Sequence, residues 1–366
     1  MITELNISNL RCFNELSLTN ITPVTLISGE NNIGKTTLLE SIYILFRCHN
    51  VDVFFKVNDI RGIAPVFQVS FPQGQLAGFA QSLPWETLFT EMDMARKLHI
   101  SVKDDADIIS SVCFEKDAEL SLVHFSENIN MNNMLQPVSG SYILNISYER
   151  NSENTGKGRF VVTQNGLALN FDAPSQVLTG TCIYIGPNVH FSQYPTAEWL
   201  GKAEIDDKKA EIVAALRILD DKISDIFAVQ KNGIVDIYAK WNTGKSRSIK
   251  TLGDGINKLL CYLLAMTANP GSIFLLDEIE NGFHYSFYPK LWELIATLSE
   301  KTQCQVFATT HNYECIQSAL RGTSKNGHRE RFSYIRLGRN SEGVIQSNRF
   351  HPDMLEYAIS TDMEVR

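Results

Sequence analysis

The chain has 366 residues, 44% of them hydrophobic and 20% charged, with a net charge of −8. That length accommodates one large or two ordinary domains with a full core, and no apolar run reaches the ~18 residues that a membrane helix needs. The acidic balance excludes a surface that wraps nucleic acid throughout and leaves only a local basic patch for such contact.

The opening MITELNISNLRCF alternates apolar and polar residues and lacks the basic start and apolar core of a secretory signal. It is expected to be a strand of a cytoplasmic protein. Cys12, Cys48, Cys113, Cys182, Cys261, Cys304 and Cys315 form no CxxC pair and no cluster with histidine, which points to reduced thiols. Through Ser28 the pattern predicts three strands, the last running into the glycine-rich GENNIGKTT. Thr36 to Phe46 then reads as a helix with a broad apolar face.

Residues 51–110 are less regular, with Pro65, Pro72 and Pro84, and read as an insertion with a short helix at WETLFTEMDMARKL. The runs IISSVCF, AELSLVHF, SYILNISYE and RFVVT recur between Asn, Ser and Gly and predict an antiparallel layer over residues 111–190. Beyond it, AEWLGKAEIDDKKAEIVAALRILDDKISDIFAV is expected to be one or two amphipathic helices. Two strands, GIVDIYAKW and SRSIK, precede the turn LGDG and an apolar helix to Ala268. The buried strand SIFLLDE, a helix through LWELIATLSE and the strand QVFATTH follow, an alternation that indicates a parallel sheet with crossovers.

Gly29, Gly34, Lys35 and Thr36 satisfy GxxxxGK[ST], in the strand–loop–helix context that the phosphate loop requires. Amides of Asn31, Asn32, Ile33, Gly34 and Thr37 and of the helix start point at ATP phosphates, Lys35 reaches the outer ones, and the Thr36 hydroxyl ligates magnesium. Asp277 and Glu278 close the apolar strand IFLL, at the carboxyl end where such sheets present ligand-binding groups. Asp277 is assigned to magnesium and Glu278 to polarising the attacking water. His311 ends the next strand and is a candidate for the γ-phosphate, against the alternative of a polar strand cap.

GENNIGKTT, LGDG, IFLLDEIENGFHYS and FATTHN, in that order, resemble the ABC-type ATPase heads of SMC and RecF proteins. They also resemble the compact ATPases related to the OLD (overcoming lysogenization defect) family and to prokaryotic phage-defence ATPases. NISNLRCFNELSL is similar to their N-terminal strands. The resemblance covers roughly residues 1–50 and 180–350. It implies an ATP site completed by a second subunit, with Gly253, Asp254 and Gly255 where the family has Ser-x-Gly; this chain lacks the serine. It also implies an arginine near the nucleotide, matched by Arg11, and a magnesium-ligating glutamine among Gln68, Gln73, Gln136 and Gln164.

The expected fold is α/β, a P-loop NTPase with a parallel core sheet, an antiparallel β layer and a helical subdomain. Residues 1–366 read as one ABC-type head: 1–50 carry the phosphate loop, 51–110 the insertion, 111–190 the antiparallel layer, and 191–366 the helical, signature and Walker B portion. The expected function is an ATP-hydrolysing switch that dimerises on ATP and controls a partner effector in phage defence or DNA transactions. A Toprim-type nuclease, for which no room remains after the last motif, is expected as a separate partner. Two alternatives stand beside it: a sensor of nucleic acid or protein in which ATP is structural, and a RecF-like repair ATPase. Residues 321–339, basic with Phe332 and Tyr334 interleaved, could bind a nucleic-acid backbone but are read first as a solvated loop leading into a strand. NTGKSRS at 242–248 reads as a hairpin turn.

Overall fold

The computed structural model describes residues 1–50, 52–63, 85–117, 143–151, 154–163, 166–172, 180–187, 194–361 and 363–365. Two units interleave along the chain: Met1–Asn20 with Thr37–Thr179 and Ser341–Gln346, and Ile21–Thr36 with Gly180–Asn340 and Ser347–Arg366.

The first unit is built on a seven-stranded sheet. Its strands are β1 (Ile2–Leu10), β2 (Phe13–Leu18), β4 (Leu98–Asp104), β5 (Ile109–Lys116), β6 (Ile143–Arg150), β7 (Asn154–Thr163) and β8 (Gly166–Asp172), in the order β2-β1-β4-β5-β6-β7-β8. Every neighbouring pair is antiparallel. Leu98, Ile100 and Val102 of β4 and Val112 and Phe114 of β5 are buried at alternate positions, as a sheet with one covered face requires. Phe54, on α2 (Asp52–Ile60), meets Trp85, Phe114 and Phe160 edge-on with ring centroids 4.7–5.9 Å apart. Of α1 (Lys35–Arg47), the part from Thr37 onward belongs to this unit and buries Leu38, Leu39, Ile42, Leu45 and Phe46.

The second unit holds a six-stranded sheet of β3 (Val24–Gly29), β9 (Cys182–Ile185), β13 (Ile273–Leu276), β14 (Gln305–Thr309), β15 (Phe332–Arg339) and β16 (Ile345–Phe350), ordered β16-β15-β3-β14-β13-β9. From β15 to β9 all pairings are parallel. β3 and β13 are buried at every position, which is why IFLL reads as a continuous apolar run, while Thr25 and Ser28 of β3 are buried with hydrogen-bond partners on Ser333 and Tyr334. The helices α3 (Thr196–Ile205), α4 (Lys209–Leu216), α5 (Asp254–Ala268), α6 (Tyr288–Thr302), α7 (Tyr313–Ser324) and α8 (Pro352–Ser360) contribute to one continuous core that includes Leu259, Leu263, Phe274, Trp292 and Val306. β10 (Ile223–Lys231), β11 (Ile234–Trp241) and β12 (Ser246–Ser248) form a small antiparallel sheet.

Parallel register fixes where the site lies. Ile27 pairs with Thr309 and Leu276 with Ala308, so the ends of β3, β13 and β14 fall on one sheet edge.

Two segments differ from their sequence patterns. WETLFTEMDMARKL is not a helix: it makes separate 3₁₀ turns at Glu86–Leu88 and Thr90–Met92, Glu91 has φ +54°, and β4 begins at Leu98. The expected helical stretch ending KISDIFAV stops at Leu216. Its remainder is the strand β10: Ile223 and Ile226 are three apart, as in a helix, but a register shift between Ile223 and Asp225 lets both bury in the pairing with β11. The glutamines Gln68, Gln73, Gln136 and Gln164 and the run AELSLVHF lie outside the described residues. Among the described residues no helix is long and apolar enough to cross a membrane.

Candidate active site

Between β3 and α1 the chain turns through Gly29 (φ +141°), Asn32 (φ +61°) and Gly34 (φ +106°). Positive φ at three of six positions gives the loop a tight curvature, of the kind that lets successive backbone amides cradle an anion. Gly29 has a second reason to be glycine: a Cβ there would lie 2.4 Å from the Leu337 carbonyl oxygen of β15. Ile33 is buried beneath the loop while Asn31 and Asn32 are exposed. The Lys35 ammonium donates to the carbonyls of Gly29 and Glu30 at 2.8 and 2.9 Å and so spans the loop. Burial lowers its pKa, and Asp277, Glu278 and Glu280 act the other way, which puts all three carboxylates within its electrostatic reach.

Asp277, 4% exposed, follows β13 directly. Its carboxylate accepts from the Thr36 hydroxyl at 2.9 Å, from the Tyr184 hydroxyl at 2.7 Å and from the Thr309 hydroxyl. A buried carboxylate beside a hydroxyl is a hard-oxygen donor pair that suits Mg²⁺, an ion usually held by one or two carboxylates together with phosphates and water. The residues therefore fit the metal that the sequence implies.

Glu278 is half exposed, and its backbone lies in the left-handed region at φ +46°. Its N–H donates to Thr309 Oγ1 at 2.8 Å, its carbonyl accepts from Lys258 at 2.7 Å, and its carboxylate accepts from the Asn281 amide at 2.6 Å. His311 Nδ1 lies 3.4 Å from Glu280 Oε1 and 4.0 Å from Glu278 Oε1, with half of the ring exposed. Glu280 is buried and accepts from the Thr310 hydroxyl at 2.7 Å and the His311 N–H at 3.1 Å. The sheet edge thus brings Lys35, Thr36, Asp277, Glu278 and His311 together.

Gly253 caps α5 without a side chain and is exposed with Asp254. A Cβ on Gly255 would lie 2.6 Å from the Gly282 carbonyl oxygen, so this helix start packs on the turn that follows Glu278. Thr251 is engaged locally, donating to Ser248 at 2.8 Å.

Residues 1–155 match the family model described as an AAA ATPase domain, and residues 194–316 match one described as an AAA domain, putative AbiEii toxin, type IV TA system. An ATP/GTP phosphatase of Helicobacter pylori is 22% identical over 340 residues, covering 87% of either chain. The chain is an ATPase. An uncharacterized protein of Methanocaldococcus jannaschii is 26% identical over 115 residues, 31% of this chain and 99% of that one. In fold, the ATPase is similar to an Smc head solved with the C-winged helix domain of ScpA, at a TM-score of 0.52 and 12% identity, covering 98% of this chain and 99% of that one.

Arg11 sits in the first unit of the ATPase, at φ +50°, with Nε 3.0 Å from the fully buried Glu40. Arg61 reaches the same carboxylate at 2.8 Å and donates to the Thr37 hydroxyl at 2.8 Å. The basic segment is corrected by burial. Phe332 and Tyr334 are 1% and 0% exposed in β15, so their rings are core and offer no stacking platform for bases. The segment also starts as the end of α7 rather than as a loop. Sequence reasoning missed Tyr184, Lys258, Glu280, Asn281 and Thr309. Thr309, Glu280 and Asn281 lie inside the motif stretches ATTH and DEIEN; Lys258 carries the weaker signal of a lysine on an apolar helix, and Tyr184 none.

Proposed function

We propose that this ATPase is a cytoplasmic molecular switch in which bound ATP joins two copies and hydrolysis releases them. The observation that carries the reading is the 2.9 Å contact between Thr36, at the start of α1, and Asp277, at the end of β13, with Glu278 the next residue. In this reading the amides of Gly29–Thr37 bind the phosphates, Lys35 neutralises the outer ones, and Thr36 and Asp277 hold Mg²⁺. Bound magnesium would supply charge neutralisation at the outer phosphates. Glu278 takes a proton from the attacking water through Oε1, the carboxylate oxygen that Asn281 does not occupy and that faces His311 Nδ1 at 4.0 Å. In the same reading His311 contacts the γ-phosphate and Arg11 is the arginine near the nucleotide. Residues 1–366 act as one head.

The exposure of Gly253 and Asp254, at the positive end of α5, supports a contact of Gly253–Gly255 to the γ-phosphate held by a second copy. The effector is proposed to be a separate protein, with a Toprim-type nuclease as first candidate and nucleic acid left open as a ligand. The Smc head was solved with a partner domain, and the second family model is described by a putative toxin; both favour effector control, in phage defence or DNA transactions. Light scattering of Glu278→Gln with ATP and magnesium tests the switch: the mass should double relative to the nucleotide-free protein, whereas an unchanged mass with ATP bound removes the composite site.

A further inference from the structure

α5 is apolar from Leu259 to Met266, yet it carries Lys258 at 2% exposure. A lysine in such a place loses its hydration, and it persists only where partners compensate. Those partners are specific. The ammonium donates to the Glu278 carbonyl at 2.7 Å and the Pro187 carbonyl at 3.3 Å, and it stands 6.0 Å from the Tyr262 ring centroid. Of the carboxylates whose charge favours the ammonium, the buried Glu280 acts most strongly, and its Oε2 has no hydrogen-bond partner among the described residues.

Glu278 needs such support. A non-glycine residue at φ +46° is strained and holds that conformation only when its surroundings over-determine it. Thr309 fixes the peptide on one side of Glu278 through its N–H, and Lys258 fixes the other through its carbonyl. The two together set the direction in which the carboxylate leaves the backbone. Lys258 lies three positions beyond Gly255, one turn into the helix that starts at the exposed Gly253.

We propose that Lys258 is a positioning residue for hydrolysis, which holds the backbone of Glu278 and links it to the exposed start of α5, so that engagement of Gly253–Gly255 by a second copy is felt at the carboxylate. This rests on Glu278 being the residue that polarises water.

The test is a double-mutant cycle of Lys258→Met and Glu278→Gln in the full chain. Methionine keeps the unbranched length and removes the donor. Lys258→Met should lower the turnover of phosphate release by at least ~10-fold, leave the ATP dissociation constant within ~2-fold, and change turnover by less than ~2-fold when Glu278 is already Gln. Full turnover in folded Lys258→Met, a loss of ATP affinity, or an effect that persists in the Glu278→Gln background would each overturn the role of Lys258. If Lys258→Met does not fold, Lys258→Gln, which keeps an N–H donor, should show the same split at smaller size. Wild-type turnover in Glu278→Gln alone would contradict the assignment of Glu278 instead, so the two failures are distinguishable.

Discussion

The Thr36 hydroxyl donates to the Asp277 carboxylate across 2.9 Å, although 241 positions separate the two residues in the chain. Parallel pairing of β14 with both β3 and β13 produces this meeting, because it aligns the carboxyl ends of strands from distant parts of the sequence. The hydroxyl and carboxylate are thereby placed before any ligand arrives, and the ordering of long side chains costs little further entropy on binding.

Lys35→Ala removes the ammonium that spans the loop at the Gly29 and Glu30 carbonyls. A charged hydrogen-bonding group contributes about 2–3 kcal/mol, so ATP affinity should fall by about 30- to 150-fold. Calorimetric titration with ATP and magnesium checks this; unchanged affinity contradicts the phosphate-loop assignment.

Alkaline stability follows from buried thiols. Burial pushes Cys261 and Cys315 up to about 12 from an ordinary 9.0. Between those values the folded state binds more protons than the unfolded chain. Stability therefore falls as pH rises from about 9 to about 12, by about 1.4 kcal/mol per pH unit for each thiol. Lys258, pushed down by burial to about 8 from 10.5, acts with the opposite sign between those two values. The decline should consequently steepen above pH 10.5. Urea unfolding with reductant at pH 9, 10.5 and 11.5 measures it, and Cys261→Ala should flatten the upper part of the slope by about 1.4 kcal/mol per pH unit. An unchanged slope would show that Cys261 does not hold its proton.

Arg329 pairs with Asp353 at 2.7 Å and Glu356 at 2.5 Å on α8, and all three are solvent-accessible. Exposed pairs contribute little, so Arg329→Ala should cost at most about 1 kcal/mol of stability and leave phosphate release intact. Thermal melts and an ATPase assay decide; loss of ATP binding would show that the segment supports the site.

Most of the site could be read because its residues are contiguous in motifs. Gly29–Thr37, Asp277–Glu278 and His311 each end or begin a buried strand or helix, and apolar runs announce such elements. Tyr184 and Thr309, which complete the Asp277 carboxylate, could not be read, since their role depends on strand register and not on spacing. Lys258 was hidden for a related reason: a lysine in an apolar helix carries no sign of which carbonyl it will meet. In the fold, β10 reads as helix because Ile223, Ile226 and Phe227 have helical spacing, and the register shift in its pairing with β11, which makes that spacing possible in a strand, leaves no mark in the sequence. The aromatic residues of 321–339 look available beside five arginines and a lysine, and only the position of β15 in the sheet buries them.

Glu278 carries the central claim, and single-turnover phosphate release from ATP bound to Glu278→Gln tests it most directly. The substitution keeps the side-chain volume and a hydrogen-bond acceptor for Asn281 but removes the base. With ATP affinity measured alongside and unchanged, release should fall by about 10²- to 10⁴-fold relative to wild type, the contribution typical of a general base. Release at the wild-type rate from fully bound ATP would contradict the account.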